Sequence, residues 1–152
     1  MVESIGTRAL KHFDDGLYCA ESVLVAKCEA LDLQSNVVPR IATGLCSGMA
    51  RTGGTCGALS GAILGIGLVV GRDSGEASVE PAYLIVGRLV EAFMERHGST
   101  ACPELIECDL GTTEGQRIFK EEHRVERCRR YVQEAGDMLM QMTAASGRGI
   151  GS

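Results

Sequence analysis

The chain has 152 residues, a net charge of −5, 45% hydrophobic residues, 4% aromatics and no Trp. That length fits one domain with a core of Leu, Ile, Val, Ala and Met, a mixture suited to close-packed helices rather than a β-sandwich. The acidic balance argues against a nucleic-acid partner, because neutralising phosphates takes a basic surface. Residues 3–15 put Ile5, Ala9, Leu10 and Phe13 on one face, which predicts an amphipathic helix stopped by Gly16. A second helix is expected from Cys19 to about Leu33, and a third, short one from Val37 to Leu45. Ser35-Asn36 would cap the third, with Pro39 in its first turn.

GLCSGMARTGG then reads as a loop whose glycines take backbone angles that other residues avoid. Thr55 is the expected N-cap of a helix from Cys56 to Val70, closed by Gly71. On it Gly57, Gly61 and Gly65 recur every fourth residue. Each costs a helix about 1 kcal/mol relative to Ala, so the stripe implies that another helix approaches closely, in the same chain or in a homodimer. A fifth helix is expected over 79–96, with Tyr83, Val86, Leu89 or Val90, and Phe93 as its buried stripe. CPELIECDL is a short helical turn begun by Cys102-Pro103, and 112–122 and 126–142 are two further helical patterns. The fold class is therefore all-α: a single-domain bundle of six to seven helices over 1–142 around a central glycine-rich helix. A small, polar, mobile tail is expected over 143–152.

Ala58 to Val70 is about 13 residues, short of the roughly 20 needed to span a bilayer. Met1-Val2-Glu3-Ser4 lacks the basic start of a secretory leader, so a cytoplasmic protein without a membrane span is expected. In that setting seven cysteines point to metal ligation or thiol redox chemistry rather than to static disulfides. Cys19, Cys56, Cys102 and Cys128 fall at or near predicted helix starts, the last among Arg124, Arg127, Arg129 and Arg130. Helix starts and basic runs favour the thiolate, the form that binds metals and attacks disulfides. Cys28 shares a helix face with Leu24 and Leu31 and reads as core, while Cys46 and Cys108 are possible extra members of the site. His12, His97 and His123 form no ligand pair and read as solvated, and there is no C-x-x-C zinc spacing.

Cys56-Gly57-Ala58-Leu59-Ser60-Gly61 carries a CGAxxG signature, preceded by Cys19-Ala20 and followed by Gly65-Ile66-Gly67-Leu68, Cys102, Asp109-Leu110 and Cys128. In this order the chain resembles the C-GCAxxG-C-C family of redox-active proteins over about residues 8–140. The resemblance implies four functional cysteines, Cys19, Cys56, Cys102 and Cys128, the same four that the helix starts select. It also implies a small soluble protein with a redox partner, often associated with transporters. The family is similar to part of split-Soret cytochrome c, in which an iron–sulfur centre accompanies the haems. This chain has no C-x-x-C-H site, so haem is not carried over.

Four readings remain open at this point, the plainest being a helical scaffold with inert buried cysteines. The four cysteines ligate an iron–sulfur cluster for electron transfer, or cycle between thiol and disulfide with Cys56 attacking and no cofactor. The alternative is a structural zinc site in a helical interaction module. For a cluster, backbone groups at Thr55, Gly57, Ala58 and Gly61 would line it, and Arg127 with Arg124 and Arg129 would offset its charge.

Overall fold

A computed structural model describes residues 2–144. Ser4 caps the first helix, α1 (Ile5–Asp14), by accepting a hydrogen bond from the Thr7 backbone N–H, and Gly16 ends the segment at φ +118°. Helix α2 (Cys19–Ala30) begins where the Tyr18 backbone N–H donates to Glu21 Oε1 at 2.9 Å. It stops short of the expected Leu33, as Asp32 turns left-handed at φ +53°. The next element is a 3-10 turn over Arg40–Leu45, entered through Pro39 rather than Val37. Pro39 has no N–H to give, so regular pairing starts beyond it.

The expected loop is then largely a left-handed turn, α3 (Cys46–Arg51). Ser47, Gly48, Met49, Ala50 and Arg51 all have φ between +58° and +67°. Only one of the five is glycine, and the conformation costs an L-residue about 1–2 kcal/mol. The Gly48 carbonyl anchors the turn by accepting from the Gly54 N–H at 2.9 Å, while the Thr52 hydroxyl donates to the Met49 carbonyl at 2.7 Å.

Helix α4 (Gly57–Val70) has Cys56, not Thr55, as its N-cap. Thr55 instead forms an isolated antiparallel bridge with Ala101. The Cys56 N–H donates to the Thr100 carbonyl at 2.8 Å, and the Cys102 N–H to the Gly54 carbonyl at 2.9 Å. This bridge ties the start of α4 to the start of α6 (Cys102–Ile106). Between them runs α5 (Glu80–His97), which packs on α4 and α8 along Ile85, Leu89 and Phe93. Tyr83, expected in the buried stripe, is 66% exposed, because α5 lies on the outside and only the stripe of Ile85, Leu89 and Phe93 turns fully inward.

The chain ends with α7 (Thr113–Glu121) and α8 (Val125–Thr143). Helix α8 packs on α1, α2 and α4, crossing α1 so closely that a Cβ on Gly136 would meet Gly6 Cα at 2.8 Å. Thr143, assigned to the tail, is buried and accepts a hydrogen bond from Lys27 Nζ at 2.9 Å, so the bundle extends to it. Residues 145–152 of the expected tail lie outside the described residues.

The protein is thus an all-α bundle, with no strand among the described residues. Helix α4 lies at its centre, against α2, α5 and α8. Its glycine stripe is the contact ridge expected. A Cβ at Gly61 would meet the Ala20 backbone oxygen at 2.6 Å, and one at Gly65 would meet Leu139 Cδ2 at 2.6 Å. Helices α2 and α8 of the same chain fill the ridge, which leaves it closed to a second subunit. No described helix is long and apolar enough to cross a membrane.

Candidate functional site

Four helix starts converge on one cavity of about 220 Å³. Cys19 is the first residue of α2, Cys56 the N-cap of α4, Cys102 the first residue of α6 and Cys128 the fourth of α8. All four line the cavity. The antiparallel bridge holds Cys56 beside Cys102, and the α2–α4 and α4–α8 contacts bring in Cys19 and Cys128. Phe13, Leu105, Ile106, Phe119 and Tyr131 make the rest of the lining mostly apolar.

The ionisation of these thiols differs from expectation. Burial pushes Cys56 up to about 11, although the N–H groups of Leu59 and Ala58 at the start of α4 pull the other way. Burial, then the neighbouring Cys108, raises Cys102 to about 11. Burial raises Cys128 to about 12, with Cys56, Cys102 and Cys108 adding to it. The helix-start contribution is present but smaller than desolvation in an apolar chamber, so these three thiols are held neutral at pH 7. The expected basic stabilisation of Cys128 is absent for the same kind of reason, since its arginines are engaged elsewhere. Arg124 donates to the Ile106 carbonyl at 2.6 Å, Arg127 pairs with Glu107 at 3.1 Å, and Arg129 pairs with Asp14 at 2.8 Å. Arg127 is not among the lining residues; the arginine at the cavity is Arg51, carried there by the left-handed turn.

Among the backbone positions singled out, Gly57 lines the cavity. A Cβ there would sit 2.3 Å from Cys19 Sγ. Ala58 presents its N–H to Cys56, Thr55 serves the bridge, and Gly61 lies against Ala20. Cys108 neighbours Cys102 and shares a small adjoining pocket with it and Arg51. Cys46 is buried against Cys19 rather than facing Cys56. Cys28 is core, packed with Leu24 and Ala42.

Of the histidines, His12 pairs with Glu29 at 2.7 Å and His123 is exposed. His97 is not solvated: its side chain is 5% exposed, packed on Phe93 and Tyr131, with Nε2 2.9 Å from Glu134 Oε2. Burial lowers its affinity for a proton, partly countered by Glu134. Among the described residues, no three or more Cys, His, Asp or Glu side chains close on a single point as ligands of one metal ion would.

Sequence reasoning missed Ser47 and Arg51, which reach the cavity only because α3 winds left-handed. The signal was Gly48 alone. A Cβ there would meet Cys102 Cβ at 2.6 Å, so the turn is pressed against the site.

No curated protein and no solved structure matches the chain. A family model described as "Putative redox-active protein (C_GCAxxG_C_C)" matches residues 17–142. That span contains all four cavity cysteines, and the chain belongs to this family of redox-active proteins.

Proposed function

We propose that the four-cysteine cavity holds an iron–sulfur cluster, most simply of the two-iron type, and that the protein transfers single electrons to a redox partner. The observation that carries this reading is the arrangement of Cys19, Cys56, Cys102 and Cys128 around one chamber of about 220 Å³. Four thiols around a void suit a polynuclear group better than one zinc ion, whose tetrahedral ligands must close on a point. Cys56, the thiol expected to attack in a disulfide cycle, is desolvated and neutral and so a weak nucleophile, which counts against a cycle led by it.

The donor set fits the group. Cys19, Cys56, Cys102 and Cys128 would be its ligands, and the N–H groups of Ala58 and Leu59 point at the Cys56 sulfur. When bound, the cluster supplies one-electron chemistry at a potential tuned by hydrogen bonds to its sulfurs and by burial. The remaining work belongs to the chain. The apolar lining excludes water, Arg51 places a positive charge at the site, and the thiols release their protons on loading, so loading weakens as pH falls.

The test is an absorption spectrum with iron and acid-labile sulfide analysis on protein purified without oxygen. Brown protein with equal iron and sulfide is the expected result. It should be lost on changing any one of the four cysteines to Ser and kept in Cys28→Ser. A colourless protein holding one zinc would overturn the reading.

A further inference from the structure

Cys46 stands outside the four-cysteine pattern, yet it is placed on one of its members. The hydrophobic core has two clusters, one containing Cys56 and Cys102 and the other Cys28 and Cys46. Cys19 packs against both. The Cys19 thiol and the Cys46 backbone meet over Gly57, where a Cβ would lie 2.3 Å from Cys19 Sγ and 3.2 Å from Cys46 Cα. The Cys46 thiol donates to the Ala42 carbonyl at 3.7 Å, and Cys19 is the neighbour that most perturbs it. Cys46 is 4% exposed and sits where the 3-10 turn gives way to the left-handed turn, so its backbone is held from both sides. Cys19 is half-buried and lines the cavity.

We infer that Cys19 and Cys46 form a reversible disulfide, and that this modification withdraws Cys19 from the cavity. The pair stands on its own geometry; its consequence for metal loading rests on the cluster reading above. The oxidant is hydrogen peroxide, which enters through the cavity and so meets Cys19 before Cys46, which does not line it. The Cys19 sulfur attacks the peroxide oxygen, the O–O bond breaks, and Cys19 becomes a sulfenic acid with release of one water. The Cys46 sulfur then attacks Cys19 Sγ. The S–O bond breaks, the Cys46 proton leaves with the hydroxyl as a second water, and the S–S bond forms. Two thiols lose two electrons and two protons, and the peroxide takes up both. A dithiol reductant reverses the step.

The experiment uses the full chain, metal-free and reduced, treated with one equivalent of hydrogen peroxide, then alkylated and digested with trypsin. Cleavage after Lys and Arg puts Cys19 in peptide 12–27, Cys46 in 41–51, Cys28 in 28–40, Cys56 in 52–72 and Cys102 with Cys108 in 97–117. The expected product joins 12–27 to 41–51. It should vanish in Cys46→Ser and in Cys46→Ala, both checked for native helicity by circular dichroism. Linkage of 12–27 to any other peptide, or no linkage, would overturn the pair. Iron and sulfide uptake is then compared between oxidised and reduced chain. At least a fivefold drop on oxidation, restored by dithiothreitol, is expected, and equal uptake would overturn the withdrawal of Cys19. If the reduced chain takes up no iron, the cluster reading fails while the mapped disulfide stands.

Discussion

The two halves of α4 use the same residue for different ends. At its start Gly57 leaves room chiefly for a side chain, the Cys19 thiol, at the edge of the cavity, with the Leu45 carbonyl farther off at 3.0 Å from an added Cβ. One and two turns on, Gly61 and Gly65 leave room for the Ala20 backbone and for Leu139. A backbone oxygen cannot step aside, whereas a thiol or a leucine methyl can rotate. A stripe that looks uniform in sequence is therefore a rigid seam in its middle and an adjustable wall at its functional end.

The strongest way to break this contrast is Gly61→Ala. The added Cβ meets the Ala20 backbone at 2.6 Å, so a loss of about 2–3 kcal/mol is expected despite the helix-propensity gain of about 1 kcal/mol. Denaturant unfolding should show it, with iron content per folded molecule unchanged. If stability holds, the seam is not rigid. Gly57→Ala should do the opposite. The loss is about 1–2 kcal/mol, because Cys19 can turn away while the Leu45 carbonyl at 3.0 Å must give slightly, and iron and sulfide uptake falls at least fivefold because that turn removes a ligand.

The two ends also titrate with opposite sign. Thiols raised from about 9 toward 11–12 stabilise the metal-free fold fully below pH 9, and that stability is lost as pH climbs through 11–12. Lys27, whose burial lowers it from 10.5, works the other way: its ordering cost is full at low pH and relieved as pH approaches 10.5. Unfolding midpoints from pH 8 to 11 should therefore fall more steeply in Lys27→Met than in the parent, and less steeply in Cys56→Ser. Parallel curves would mean that neither group is buried as described. The smallest effect is expected from Cys28→Ser, which places a hydroxyl in the second core cluster. A loss of about 1 kcal/mol with unchanged absorption is expected; altered absorption would join Cys28 to the site.

What the sequence by itself determined is local. Ser4, Gly16, the 3.6-residue periodicity and the proline at Cys102-Pro103 mark helix limits through hydrogen bonds within a few residues of each position, so the four cysteines could be placed at helix starts from their neighbours alone. The glycine spacing on α4 implied a close packing partner, for the same short-range reason that glycine is costly in a helix without one. Only the tertiary structure decided whether those thiols ionise, because desolvation depends on Phe13, Phe119 and Tyr131 arriving from far along the chain. It likewise buried His97 between Phe93 and Tyr131, engaged Arg127 with Glu107, wound Ser47–Arg51 left-handed so that Arg51 reaches the cavity, and set Cys46 beside Cys19. Backbone hydrogen bonds are read from near neighbours, whereas burial and charge pairing are settled by whichever distant side chains the fold brings together.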